Sequence, residues 1–360
     1  MIYRLFYIGI LFILLSCQSD DSVSVDSNEP NPTEASTYFP PINTNDWENV
    51  SPSELNWNVD KLSELEDFLI QDNTKSFMVL VDGKIVVEEY YNDHTVNDTY
   101  QWNSAGKTLV TATTGIAQQN GLIDIDNKLS DYIGTEWTSA TIQQENLITV
   151  KNLLTMTSGL DDEPQLVIKA NLVSLSDAGT RWAYGNVFQR LMNVVEDASG
   201  TEFETYFNTE LAAKIGMDGF WNNGFIYRIY HSNTRSMARF GLLASQNGKW
   251  DGEQIVDEDF FLESTTTSQD INPAYGYLWW LNGKSDFMLP STQTEFSGSL
   301  IPNAPADMIA ALGKDEQRIY IVPSENLVII RMGEATGSEE NFALSSFDNV
   351  FWEKFNEVTN

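Results

Sequence analysis

The strongest constraint on how this chain can fold is that its two clearest β-hairpin signals lie near opposite ends of its globular part. Phe77 to Val81 and Ile85 to Tyr91 are rich in β-branched and aromatic residues and flank Asp82-Gly83, a dipeptide that reverses a chain at little steric cost. Far downstream, Arg318 to Val322 and Leu327 to Met332 repeat the pattern around Pro323-Ser324-Glu325-Asn326. Between them helical periods dominate, over Ser104 to Gln119, Val187 to Ala198 and Arg235 to Gln246. A first amphipathic helix is expected after Ser53-Glu54, from the spacing of Leu62, Leu65, Phe68 and Leu69, and a last one over Phe347 to Val358. Hairpins at both ends share one core only if the sheet is assembled from both termini. The expected class is therefore α/β (α+β): an antiparallel sheet formed from N- and C-terminal strands, flanked by helices, with an inserted mainly helical subdomain. No internal repeat marks a solenoid.

The first residues read as an export signal. Arg4 supplies a positive charge, Leu5 to Leu15 is almost wholly apolar and too short to span a bilayer comfortably, and Ser16 is a small residue before Cys17. Leu14-Leu15-Ser16-Cys17 resembles the bacterial lipobox, which implies a signal peptide over 1–16 and acylation of Cys17 as the mature N-terminus. Cys17 is the only cysteine, so neither a disulfide framework nor a thiolate metal site is available. Residues 17–50 are rich in Ser, Asp, Asn, Pro and Thr and are expected to be a lipidated flexible linker, leaving 51–360 as one folded domain. The residues after the cysteine, Gln18-Ser19-Asp20-Asp21, resemble an outer-membrane sorting signal, facing either the periplasm or the cell surface. Membrane contact is thus expected through the lipid anchor only.

A net charge of −32 repels phosphate backbones, which argues against nucleic acid as a partner. With 42% hydrophobic and 12% aromatic residues the chain has ample material for a full core.

Ser104-Ala105-Gly106-Lys107 is the only Ser-x-x-Lys in the chain, and it opens a helical pattern that meets its stop signal at Asn120-Gly121. At i and i+3 the two side chains share a helix face. A serine hydroxyl is a poor nucleophile until a base takes its proton, and a lysine neutralised by burial serves as that base. The N–H groups at the helix start suit a developing oxyanion. A serine cap followed by a solvent-facing lysine uses the same four residues, so the motif alone does not decide. Tyr184-Gly185-Asn186 places a phenol and an amide just before the helix at Val187. Tyr90-Tyr91-Asn92 and Tyr206-Phe207-Asn208 share the pattern, but the first falls in a strand and the second within a helix.

These motifs resemble those of the serine β-lactamase/penicillin-binding-protein-like hydrolases, in their class C β-lactamase and esterase branch, over about Asn56 to Phe355. Gly115 to Ile123, Thr149 to Leu160, Ala238 to Leu243 and Tyr275 to Trp280 extend the likeness. The resemblance implies a β-lactamase/transpeptidase-like fold in which Ser104 is acylated, Lys107 deprotonates it, Tyr184 relays a proton to the leaving group, and Asn186 positions substrate or catalytic side chains. No cofactor and no metal is implied. The third family motif, a Lys or His two residues before a Gly, is altered to Ala311-Leu312-Gly313. Gly313 would admit close approach of an acyl substrate and its strand a second oxyanion donor, whereas loss of the cation shifts the expected substrates towards small-molecule or peptide-like esters and amides. A D-Ala-D-Ala carboxypeptidase, a β-lactamase, and a non-catalytic lipid-anchored binding protein are the alternatives. Trp182, Trp279 and Trp280 are expected to line an acyl pocket or to pack in the core. Asp161-Asp162 is expected in a solvated loop. His94 and His231 lack metal-site company, and no Gly-x-Ser-x-Gly elbow supports a histidine triad.

Overall fold

The computed structural model describes residues 37–224, 227–337, 340–341 and 344–360; the signal peptide expected over 1–16, Cys17 and the first part of the expected linker lie outside the described residues. Both hairpins form where expected and meet in one sheet. Its antiparallel order is Lys84–Tyr90, Thr74–Val81, Leu327–Gly333, Gln317–Val322, Ile309–Gly313 and Trp280–Leu281. The join is between Thr74–Val81 and Leu327–Gly333, with Phe77 opposite Arg331 and Val79 opposite Ile329. Every residue of the strands Gln317–Val322 and Leu327–Gly333 is buried, because helices cover both faces.

On one face lie the first helix, Val59–Gln71, and the last, Ser346–Thr359. Phe68 stacks on Phe347 at 5.5 Å, so the two ends of the domain are bound to each other as well as to the sheet. The first helix starts later than Ser53-Glu54: Asn58 caps it by accepting from the Lys61 N–H, while the Glu54 carboxylate accepts from Ser51 in a preceding turn. On the other face the helix Thr234–Ser245 comes close enough that a Cβ on Gly241 would meet Val328 at 2.5 Å. The inserted region carries the buried helix Lys107–Gln119, the helix Arg190–Ser199 and a small sheet of Tyr100–Gln101, Arg228–Ser232 and Gly219–Asn223.

The expected linker over 17–50 needs correction at its C-terminal end, because residues 37–50 form a strap packed on the body. The Tyr38 N–H donates to the Asp82 carbonyl and Trp47 Nε1 to that of Gly83, while Val50 N–H donates to the Ile85 carbonyl and Ile85 N–H to that of Glu48. Gly83 has φ +80°, and a Cβ there would lie 1.9 Å from the Tyr38 carbonyl oxygen, so the turn and the strap require each other. Arg239 reaches out of its helix to the carbonyls of Pro40, Pro41 and Ile215, flanked by the rings of Trp47 and Trp250 at 5.2 and 5.7 Å. Polar composition disguised this segment because its attachment is mostly through backbone carbonyls, which every residue carries. A chain beginning at Ser51 should lose at least several degrees of Tm relative to one beginning at Thr37, as read by calorimetry, since it uncovers the sheet edge and strands the Arg239 guanidinium.

Candidate active site

The helix expected from Ser104 to Gln119 divides into a tight 3-10 turn over Asn103–Gly106 and a regular helix from Lys107. Trp102 anchors the entry: its N–H donates to the Tyr230 carbonyl and its indole to Ser232 Oγ, and its ring meets Tyr230 edge-on at 5.3 Å. Asn103 follows with φ +49°, a left-handed conformation that asparagine tolerates, and its amide donates to the Lys314 carbonyl at 2.8 Å. The chain therefore turns sharply just before Ser104.

Lys107 and Ser104 are brought together as their spacing allows, with Lys107 Nζ donating to Ser104 Oγ at 2.7 Å. Lys107 is only 3% exposed and no carboxylate pairs with it among the described residues. Burial alone brings its pKa from the ordinary 10.5 down to about 7. The rings of Tyr184 and Phe188 lie 4.8 and 4.6 Å from Nζ and give the ammonium form some favourable contact when it exists. A solvent-facing lysine is excluded. The helix that carries it is buried from Lys107 to Ala117, and its threonines make this tolerable by bonding inwards, Thr113 and Thr114 to carbonyls one turn back and Thr111 to that of Tyr277.

Tyr184 is buried against the Lys107 amine. Burial raises its phenol to about 12, partly offset by the Ser104 hydroxyl and the Trp280 indole. Its ring belongs to an aromatic box with Trp182, Tyr275 and Trp280, at centroid distances of 6.0, 6.0 and 5.7 Å. Trp182 is correspondingly 0% exposed, with its indole on the Leu289 carbonyl, so it supports Tyr184 and does not touch substrate space. Trp280 does the same from the sheet edge, and Trp279 stacks on Phe240 in the core. Below the loop, Ala183 donates to the carbonyl of Met156, inside the segment Thr149–Leu160 whose turns are knit by a Thr149–Asn152 capping box. Asp162 is buried and bonded to Arg181 at 2.6 Å, under Gly185, where a Cβ would come within 3.1 Å of Asp162; it is not the solvated loop residue its sequence context suggests.

A cleft of 270 Å³ opens over Ser104 and Lys107, lined also by Asn103, Gln165, Asn186 and Phe188, with Arg228 and Lys314 at its sides. Asn186 donates to the carbonyl and side chain of Gln165. Gly313 is at the end of its strand, but the space a Cβ would take is filled by the chain's own backbone, with the Trp102 carbonyl at 2.5 Å and Ala105 N at 3.0 Å. The glycine is thus required for seating the strand against the Ser104 turn and not for admitting substrate. Asn103, Phe188, Gln165 and Arg228 escape a sequence reading because each is remote or carries no motif of its own. His231 stacks on Phe220 at 5.1 Å in the small sheet and supplies no base to Ser104. Among the described residues no group of His, Cys, Asp and Glu is arranged to hold a metal ion.

The family model described as β-lactamase matches residues 70–345. This chain belongs to the β-lactamase family. Its fold is that of the family's serine hydrolases. A protein of Alkalihalophilus pseudofirmus, itself uncharacterised, is 27% identical over 325 residues, covering 79% of this chain and 90% of that one. Among solved structures, a Bacillus anthracis protein assigned as a 6-aminohexanoate-dimer hydrolase superposes with a TM-score of 0.67 at 16% identity, covering 90% of this chain and 89% of that one. A Bacteroides dorei protein assigned as a β-lactamase superposes with a TM-score of 0.65 at 16% identity, covering 84% and 99%. These structural likenesses establish the shared fold.

Holding a lysine in this site destabilises the fold. Between about pH 7 and 10.5 the unfolded chain binds the proton that folded Lys107 releases, so stability from this group is lost below pH 7 and recovers as pH rises. Lys107→Met should therefore raise Tm by several degrees at pH 7, with the advantage shrinking towards pH 10, as measured by calorimetry across that range.

Proposed function

We propose that this chain is an exported hydrolase that cleaves ester or amide substrates through an acyl-enzyme on Ser104. The observation that carries the reading is the 2.7 Å contact between Ser104 Oγ and a lysine amine brought to about 7 by burial. Near neutral pH a large share of that amine is unprotonated and accepts the hydroxyl proton as Oγ attacks the acyl carbonyl. The N–H of Ser104, in the first turn of its helix where no carbonyl lies one turn back, faces the developing oxyanion. The phenol of Tyr184, kept protonated by burial, passes a proton to the leaving group and then helps a water discharge the acyl group. Asn186, at the cleft wall, orients the substrate. The apolar run before Cys17 and the lipobox-like residues support delivery to the bacterial outer membrane, with the lipid as the membrane contact and the catalytic domain in the periplasm or at the cell surface.

Mass spectrometry after exposure to a fluorophosphonate should show one adduct on the wild type and none on Ser104→Ala; an unlabelled, correctly folded wild type would leave the binding-protein reading in its place. For a neutral nitrophenyl ester, log kcat/KM should rise with unit slope below an apparent pKa near 7 and level off above it, because only the unprotonated Lys107 is competent. A profile flat from pH 5 to 9 counts against Lys107 as the base.

A second reading, carboxylate-bearing substrates such as peptide termini or β-lactams, is favoured by Lys314. The strand motif Ala311-Leu312-Gly313 lacks a cation, but Lys314 and Arg228 both line the cleft, and the Lys314 side chain is 58% exposed. The name of the Bacillus anthracis neighbour keeps amides beside esters in the screen. Lys314→Ala should raise KM for an ester bearing a carboxylate several-fold while leaving KM for its neutral analogue unchanged; equal effects on both remove this reading.

A further inference from the structure

Arg318 and Asp348 form the most deeply buried ion pair among the described residues, 1% and 0% exposed. The guanidinium forks onto the carboxylate, Nε to Oδ1 at 2.6 Å and Nη2 to Oδ2 at 2.9 Å. Asp348 also accepts from the Tyr320 hydroxyl and from the Ser345 N–H, so both partners are held in place. The remaining nitrogen, Nη1, donates to the carbonyl of Gly313.

The direction of that bond matters. Arg318 and Tyr320 face the C-terminal helix, where Tyr320 stacks on Phe351 at 5.6 Å, whereas Ile319 between them faces Gly241 on the other side of the sheet. The turn carrying Ser104 belongs to that other side, with Trp102 at 6.0 Å from Phe240 of the same helix as Gly241. The C=O and N–H of a trans peptide point in opposite directions. A Gly313 carbonyl drawn towards Arg318 therefore turns the N–H of Lys314 towards the side of Ser104, and Lys314 and Ser104 line one cleft. From the cleft side Asn103 holds the next carbonyl, that of Lys314. Two side chains thus pin successive carbonyls in a turn where Asp315 and Glu316, at φ +59° and +48°, have little intrinsic preference for the conformation they hold.

We propose that Arg318, clamped by Asp348, is a positioning residue that fixes the orientation of the Gly313–Lys314 peptide, and with it the Lys314 N–H, the second oxyanion donor already expected of this strand. The catalytic part of this rests on the acyl-enzyme reading above. The orientation itself does not. Arg318 acts from behind the sheet, through a carbonyl, and never meets substrate.

The test is the double variant Arg318→Met with Asp348→Asn, in which the asparagine carbonyl oxygen still accepts from the Ser345 N–H while its amide donates to the Tyr320 hydroxyl, and methionine fills the stem of the arginine. Its crystal structure should show the Gly313–Lys314 peptide rotated or split between two orientations. Its kcat on a neutral nitrophenyl ester should fall about ten- to a hundredfold with KM within about twofold, short of the loss from deleting an oxyanion donor outright. A peptide in the wild-type orientation overturns the proposal whatever the rate, and a rotated peptide with unchanged kcat overturns its catalytic consequence. Wild type no more active than Ser104→Ala would instead end the hydrolase reading, while the crystallographic result still decides the positioning role. Should the double variant fail to fold, Arg318→Lys, which keeps the charge but not the fork, carries the same readouts.

Discussion

An amine buried beside a serine hydroxyl, with no carboxylate to compensate it, is the interaction on which the rest of this molecule is arranged. A lysine so placed repels its own proton, and water or a nearby acid would restore it. Burial to 3% exposure limits the first, and no carboxylate pairs with Lys107 among the described residues. Its helix is buried on every side, its hydroxyl-bearing neighbours turn their polar atoms into the helix, and aromatic rings close over the amine. The chain carries an excess of acidic residues, yet none of the cleft-lining positions is one. The stability forgone at this point has to be supplied elsewhere.

Much of that supply comes from aromatic packing and from closing the chain on itself. The box of Trp182, Tyr184, Tyr275 and Trp280 fixes a phenol that would otherwise swing on an exposed loop, and each ring is held by at least one edge-on neighbour. The sheet joins its first strand in chain order to its last, and the first and last helices stack on one face. Local opening at either end therefore disturbs the same sheet that carries Ile309–Gly313 to the site. The strap over 37–50 adds a further seal on the free edge.

The electrostatics of the site are divided between the sheet's faces. Lys107 stands on the cleft side, with the ring of Tyr184 4.8 Å from its amine. The full charge of Arg318 stays behind the sheet, matched by Asp348, and reaches the cleft side through a single peptide unit. Lys314 and Arg228 are the cations at the sides of the cleft; Arg228 is paired with Glu196 at 2.7 Å, while the Lys314 side chain is largely exposed, with Asp315 at 3.8 Å.

Sequence alone determined the parts of this protein that depend on local pattern. The two hairpins, the final helix and the terminal assembly of the sheet follow from side-chain period and turn chemistry, and Ser104 with Lys107 from a spacing that one helical turn converts into contact. Tertiary structure alone decided what depends on neighbours far along the chain. Whether Lys107 is dry rests on Tyr184 and Phe188; whether Trp182 meets substrate rests on Leu289 and Tyr275; why position 313 is glycine rests on Trp102 and Ala105. The strap reads as linker in sequence, and Asp162 as solvated, for the same reason. Burial and pKa are properties of everything within a few ångströms of a group, and a linear pattern records only the neighbours that the chain itself supplies.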